Sequence, residues 1–445
     1  MTNNGLEAAR VLMSDSLGFH IIFVMFGLTL PILVSWFEFM GIRKKDQKLI
    51  NLAHFWSKIM AILVITGVIS GTIVALQMSL VWPGILKFGG EVIGLPFMFE
   101  TYAFLLEATF LALYMATWNR KHVSQTAHNF FGWMTAFGAA LSAYAITSIN
   151  GWMNHPSGFT FLDGQIVNVD VKQAMFSDVA LTTFAHSMPA YFMSVALVIA
   201  GIYSFKILRS KSKDRDSAKH KLDWFVVKKM MWFALACFVA LIITADITGK
   251  YLSKHEPSKL AAIELKYNTG DNASLLIGGV GDPEGNIKGP HFEIPGALSI
   301  LSGNISSYKV VGLNEFPVNE QPPLYLHTLF NIKMTLMNIL VVIIFGFFVL
   351  LKWKKKWLKS SWVLFWLGIS GIMSTIVMEL GWMLTELGRQ PWAVRGYVKT
   401  EDAFTTSSGV TTFGYLFPVA YVLLAIVTVL AIKRIVANNS QKGTK

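Results

Sequence analysis

The stretch LGFHIIFVMFGLTLPILVSWFEFM, Leu17–Met40, decides the fold class. It is almost wholly apolar and longer than the ~20 residues a helix needs to cross a bilayer. Runs of the same kind recur at approximately 54–81, 95–118, 127–149, 179–205, 224–246, 324–351, 362–386 and 412–434. They predict nine transmembrane helices and an all-α integral membrane protein. Composition agrees: 53% of the 445 residues are hydrophobic and only 14% are charged, where a soluble globule carries nearer a quarter. The segment before the first run, GLEAARVLMSDS, is short and amphipathic and is expected at the interface. No cleavable signal peptide is expected, because the first run is long enough to span and no basic region precedes it.

The loops alternate in charge. IRKKDQK, NRKH, KILRSKSKDRDSAKHK, KWKKKWLK and IKRIVANNSQKGTK are rich in Lys and Arg, whereas WPGILKFGGEVIGLP and NGWMNHPSGFTFLDGQ are poor in them. Basic loops stay in the cytoplasm, so the N-terminus is expected outside and the C-terminus inside. The net charge of +12 follows from this topology and does not call for nucleic acid. Residues 247–323 form one long polar loop on the outer side, between helices six and seven. The chain therefore divides into residues 1–246 with six helices, the loop 247–323, and residues 324–445 with three helices. Within the loop, PSKLAAIELKY reads as a short helix opened by Pro257.

A single cysteine, Cys237, excludes a disulfide framework, a Cys-ligated cluster and a CxxCH haem attachment. Any metal or haem is then expected to use His, Met or carboxylate ligands. Ionisable groups inside spans cost about 2.5–3.5 kcal/mol and so mark functional candidates. His20 and His186 lie in the outer halves of spans one and five. Glu100 and Glu107 repeat at seven on span three, which puts them on one helical face, roughly 10 Å apart. That pattern suits a proton relay or a cation site. Met334, with Met337 one turn away, lies on span seven, and Glu379, Trp382 and Glu386 lie on span eight. His20, His186, Met334 and Glu386 share a depth in the outer half, as a buried cofactor layer between bundled helices would require.

The stretches GRQPW (Gly388–Trp392), NGWMNHPSG (Asn150–Gly158) and KLAAIE (Lys259–Glu264), in that topological setting, resemble subunit I of the cytochrome bd quinol oxidases over nearly the whole chain. The resemblance implies a low-spin haem b (heme b, the b558 type) ligated by His186 and Met334. It implies a high-spin haem b (the b595 type) and a haem d, or a third haem b, ligated by His20 and Glu386. It assigns Lys259 and Glu264 of the outer Q-loop to quinol binding, and Glu100, Glu107 and Ser142 to the proton path and haem surroundings. Arg10, Lys333, Trp382 and Arg389 would support the haems. The family carries an Arg two residues before its Met, in a pattern like FRIM; FNIKM here has Ile332 in that place and Lys333 beside the Met.

The activity so implied is quinol oxidation at the outer face and reduction of O2 to water, with protons taken up from the inside. It would run in a bacterial plasma membrane, with a second membrane subunit (subunit II) and a small single-span subunit as partners. The alternative is a haem-free secondary transporter that uses Glu100 and Glu107 as cation sites.

Overall fold

The computed structural model describes residues 3–405, 407 and 409–442. Its helices are α1 (Asn3–Lys44), α2 (Gln47–Leu80), α3 (Pro83–Thr117), α4 (Gln125–Asn154), α5 (Val171–Met175), α6 (Asp178–Leu208), α7 (Lys221–His255), α8 (Pro257–Glu264), α9 (Ala297–Gly303), α10 (Leu326–Trp353), α11 (Ser361–Leu387), α12 (Thr400–Ala403) and α13 (Val410–Lys442). Among the described residues, nine helical spans are long and apolar enough to cross a membrane. The strands form three antiparallel two-stranded hairpins: β1 (Thr160–Leu162) with β2 (Gln165–Val167), β3 (Leu275–Gly281) with β4 (Ile287–Ile294), and β5 (Trp392–Val394) with β6 (Val398–Lys399).

Two boundaries differ from the sequence expectation. The amphipathic segment Gly5–Ser16 is not a separate interfacial piece; it continues α1 without a break. No proline or second glycine interrupts it, and Ala9, Leu12 and Ser16 are fully buried along it. Helix α7 runs on to His255, so residues 247–255 are helical rather than loop. The remainder of that loop is structured by α8, the β3–β4 hairpin and α9. Helix α8 begins with Pro257 in its first turn, as the sequence predicts, and ends on Leu265 in the left-handed conformation, φ 47°.

Local signals set the other helix ends. The Asp46 side chain accepts from the Lys48 N–H at the start of α2. Pro83 opens α3, and Ser360 caps α11 by accepting from the Val363 N–H.

The chain forms two compact units. The first gathers Met1–Trp152, Pro156–Ala180 and Thr400–Lys445; the second gathers Met153–His155 and Leu181–Lys399. In the first, α1 packs on α2 and α13, and Thr66 and Thr428 hydroxyls join α2 to α13 at 2.8 Å. Helices α3 and α4 approach closely at Gly138, where a Cβ would come within 2.7 Å of the Glu107 backbone nitrogen. In the second, α6 and α11 interlock through reciprocal bonds: Ser194 Oγ donates to the Ser374 carbonyl and Ser374 Oγ to the Ser194 carbonyl. Small hydroxyl residues of this kind let membrane helices touch where no hydrophobic effect drives them together.

Candidate functional site

Each unit carries part of the predicted site. His20 lies on α1 of the first unit. Its Nδ1 is 3.0 Å from Ser70 Oγ, and that hydroxyl donates to the Gly67 carbonyl. Because the serine proton is committed to Gly67, its oxygen accepts, and His20 carries its proton on Nδ1. His186 on α6 of the second unit repeats the device. Its Nδ1 is 3.1 Å from Thr244 Oγ1, which donates to the Ala240 carbonyl. In both rings Nε2 keeps its lone pair, and neither Nε2 has a hydrogen-bond partner among the described residues. This is the arrangement a metal-ligating histidine needs, since the second nitrogen fixes tautomer and orientation. The donor chemistry therefore fits haem iron at both positions.

A third histidine, His128 on α4, shows the same relay with a different outcome. Its Nδ1 is 2.7 Å from Thr117 Oγ1, which donates to the Leu113 carbonyl. Its Nε2 faces Glu38 Oε1 at 3.5 Å, within ion-pair range but without a hydrogen bond. The other Glu38 oxygen accepts from Tyr114 OH at 2.8 Å and from Asn129 Nδ2 at 3.1 Å. A lone pair and a carboxylate oxygen facing each other repel unless a proton lies between them, so the pair is built to hold one. The cluster sits at the helix ends next to the basic loops, and Glu38, Tyr114, His128 and Asn129 are all buried.

Tyr114 connects this cluster to the predicted carboxylates. Glu100, Glu107 and Tyr114 repeat at seven along α3 and share one face, about 10 Å per step. Glu107 is buried, and Glu100 accepts from Ser142 Oγ at 3.2 Å. Sequence reading had the upper two members and missed Glu38, Tyr114, His128 and Asn129. Glu38 was visible as the second ionisable group inside the first apolar run.

In the second unit the GRQPW turn and α8 are fastened together. Glu386 accepts from Arg389 Nη2 at 2.6 Å. Arg389 is buried, and its Nε and Nη1 have no partner. Two buried guanidinium N–H groups left over beside a carboxylate fit an anionic group such as a haem propionate. The Lys259 stem packs on Gly388, where a Cβ would fall 2.6 Å from Lys259 Cε. Lys259 Nζ donates to Glu256 Oε2 at 3.1 Å and approaches Asn154 Oδ1 at 3.5 Å. Arg395 donates to the Gly388 carbonyl and to Ser258 Oγ, and its Nη2 lies 3.6 Å from Glu256. Burial pulls the Lys259 ammonium below its ordinary value, and Glu256 pushes back.

Glu264, at the other end of α8, is 5% exposed and its Oε2 has no partner. Burial pushes its carboxyl up to about 8. His327 holds the β3–β4 hairpin beside it, with Nδ1 2.7 Å from the Ile263 carbonyl and Nε2 2.8 Å from that of Gly278. Glu256 and Arg395 carried no signal in the sequence, because ordinary loop polarity accounts for them; His327 lies just inside the predicted run 324–351, where a histidine at a span's edge is unremarkable. Trp382 donates through Nε1 to Tyr191 OH at 2.7 Å, tying α11 to the helix of His186. Of the remaining predicted residues, Arg10 is exposed on α1, Lys333 is half-buried on α10 and Met334 is 39% exposed.

The chain is similar to known proteins over nearly its whole length. Residues 8–440 match the family described as cytochrome bd terminal oxidase subunit I. A putative cytochrome bd menaquinol oxidase subunit I of Bacillus subtilis (strain 168) is 32% identical over 426 residues, 94% of each chain. A cytochrome bd ubiquinol oxidase subunit 1 from the same organism is 27% identical over 93% of this chain and 88% of its own. The solved structure of bd oxidase from Geobacillus thermodenitrificans aligns with TM-score 0.91 and 35% identity, covering 98% of this chain and 99% of that one. The protein thus belongs to the cytochrome bd terminal oxidase subunit I family.

Proposed function

We propose that the chain is the haem-bearing catalytic subunit of a respiratory quinol oxidase, taking electrons from quinol at the outer face and passing them to O2. It works in a multi-pass arrangement in the bacterial plasma membrane, N-terminus outside, beside a second membrane subunit and a small single-span one. The observation that carries the reading is the pair of tautomer-fixed histidines, each presenting a free Nε2 within an apolar span. Haem, when bound, supplies one-electron carriage and the reduction of oxygen to water.

The protein's own residues supply ligation, charge and proton traffic. His186 holds the low-spin haem b, with a second ligand from the α10 segment that contains Met334. His20 and Glu386 hold the high-spin haem b and the haem d or third haem b. Arg389 offers Nε and Nη1 to propionates, while Trp382 braces α11 against Tyr191. Arg10, on α1 with His20, would support a haem.

Quinol binds against α8. Glu264, mostly neutral at pH 7, takes a quinol proton when ionised and releases it outward, and Lys259 provides positive charge at the opposite end of α8. Protons for water enter at the inner end, where the Glu38–His128 pair loads one. The Tyr114–Glu107–Glu100 face of α3, with Ser142, leads it towards the haems. Release outside and uptake inside make turnover electrogenic, each charge carried being worth about 2.3 kcal/mol per 100 mV.

A reduced-minus-oxidised optical spectrum of the purified oxidase tests the reading. Haem bands are expected, with His20→Ala and His186→Ala each removing a different component. A colourless protein would overturn it in favour of a carboxylate-based transporter.

A further inference from the structure

The face of α10 that turns inward is marked by Leu326, Leu340 and Phe347, at 0%, 0% and 2% exposure. With Lys333 these positions repeat at seven, so Lys333 stands on the buried stripe. Met334 is about 100° further round the helix and 39% exposed, next to Ile332 at 46%. A methionine so placed is filler on an apolar surface. Lys333 instead reaches towards α11, its Cε 3.8 Å from where a Cβ on Gly381 would stand. Gly381 directly precedes Trp382, whose Nε1 donates to Tyr191 OH on α6, the helix that carries His186. Among the described residues no carboxylate pairs with Lys333 and no hydrogen bond holds its Nζ. An unpaired lysine in a membrane helix costs about 2.5–3.5 kcal/mol, and packing alone gives no return for that cost.

We propose that Lys333, through Nζ, is the iron ligand opposite His186. This rests on the reading of His186 as a haem ligand. The amine binds iron through its lone pair, and one proton leaves Nζ to solvent as haem is loaded. Imidazole and amine are both nitrogen donors and give a low-spin iron, as imidazole and thioether do. The ligand types differ in a measurable way: with a sulfur ligand, the near-infrared charge-transfer band of the ferric low-spin haem falls at longer wavelength than with an amine.

The test uses the intact oxidase complex purified from membranes. Near-infrared magnetic circular dichroism of the unaltered protein should show the amine-type band for the low-spin haem. Lys333→Leu should abolish the low-spin ferric signal in electron paramagnetic resonance and convert that haem to high spin. Lys333→Met should keep a low-spin haem but move the band to the sulfur-type position. Met334→Leu and Met337→Leu should leave both spectra unchanged.

A sulfur-type band in the unaltered protein, or a low-spin signal that survives Lys333→Leu, overturns the assignment while the oxidase reading stands. If Lys333→Leu fails to assemble, the band of the unaltered protein still decides. Absence of haem from the unaltered protein would overturn the oxidase reading itself.

Discussion

Glu38 and Glu256 are buried to the same degree, each 2% exposed, but they keep opposite company. Glu256 meets cations: Lys259 Nζ at 3.1 Å and Arg395 Nη2 at 3.6 Å. Glu38 meets groups that are neutral or titrate: the Tyr114 hydroxyl, the Asn129 amide and the His128 ring. A carboxylate between fixed cations has no reason to change charge, so Glu256 acts as an anchor that holds α8 against the GRQPW turn. A carboxylate among neutral donors and an imidazole lone pair can hold or pass a proton at small cost. Equal burial thus serves position in one region and exchange in the other, and the partners decide which.

Removing each carboxylate separates the two cases. Glu256→Ala leaves the buried Lys259 ammonium without its counter-ion and takes one partner from the half-buried Arg395, a loss of about 3–5 kcal/mol. The expected result is a large fall in the unfolding temperature of the purified protein and loss of quinol affinity. A variant as stable as the parent would show that Glu256 is no anchor. Glu38→Gln keeps the shape and most of the hydrogen bonds, so stability changes by about 1 kcal/mol or less. Oxygen consumption should nevertheless fall on the order of 10²-fold, the usual share of a positioned proton-transfer group, with haem spectra unchanged. Undiminished turnover would remove Glu38 from the proton route.

Glu264, at the end of α8, sharpens the contrast: among the described residues its buried carboxyl has no cation partner. Its value is raised from 4.5 to about 8 by burial. The folded protein therefore holds this proton more tightly than the unfolded chain does. The stability it adds is complete below pH 4.5 and is lost as pH rises through about 8. For turnover the ionised form is the proton acceptor, so quinol-dependent oxygen uptake should climb with pH and level off above about 8. Glu264→Gln should lower the plateau and erase that limb; a variant that keeps the limb would place the acceptor elsewhere.

The spans and their polar residues were legible because a bilayer penalises each misplaced charge, so both the apolar runs and the exceptions within them stand out. His20, His186, Glu100 and Glu107 were found that way, and Glu38 obeys the same rule. The place of Lys333 on the inward stripe of α10 was not read there: in the sequence it stands only as a cation beside Met334. The Glu256–Lys259–Arg395 knot was not legible. Its members lie 136 and more residues apart where Arg395 meets α8, in segments polar enough to be ordinary loop. Only folding reveals that water has been excluded from them.

The smallest effect belongs to Ser142. Its hydroxyl donates to Glu100 at 3.2 Å, long for a bond to a carboxylate, in a half-buried position. Loss of one such bond is worth about 1 kcal/mol, which corresponds to roughly a fivefold change in rate if it is felt only in proton transfer. Ser142→Ala should therefore slow oxygen consumption about fivefold, leave haem spectra intact and leave stability within about 1 kcal/mol of the parent. Ser142→Thr keeps the hydroxyl and should recover most of the rate. Equal slowing in both variants would mean that packing between α3 and α4, already tight at Gly138, matters there more than the donor to Glu100.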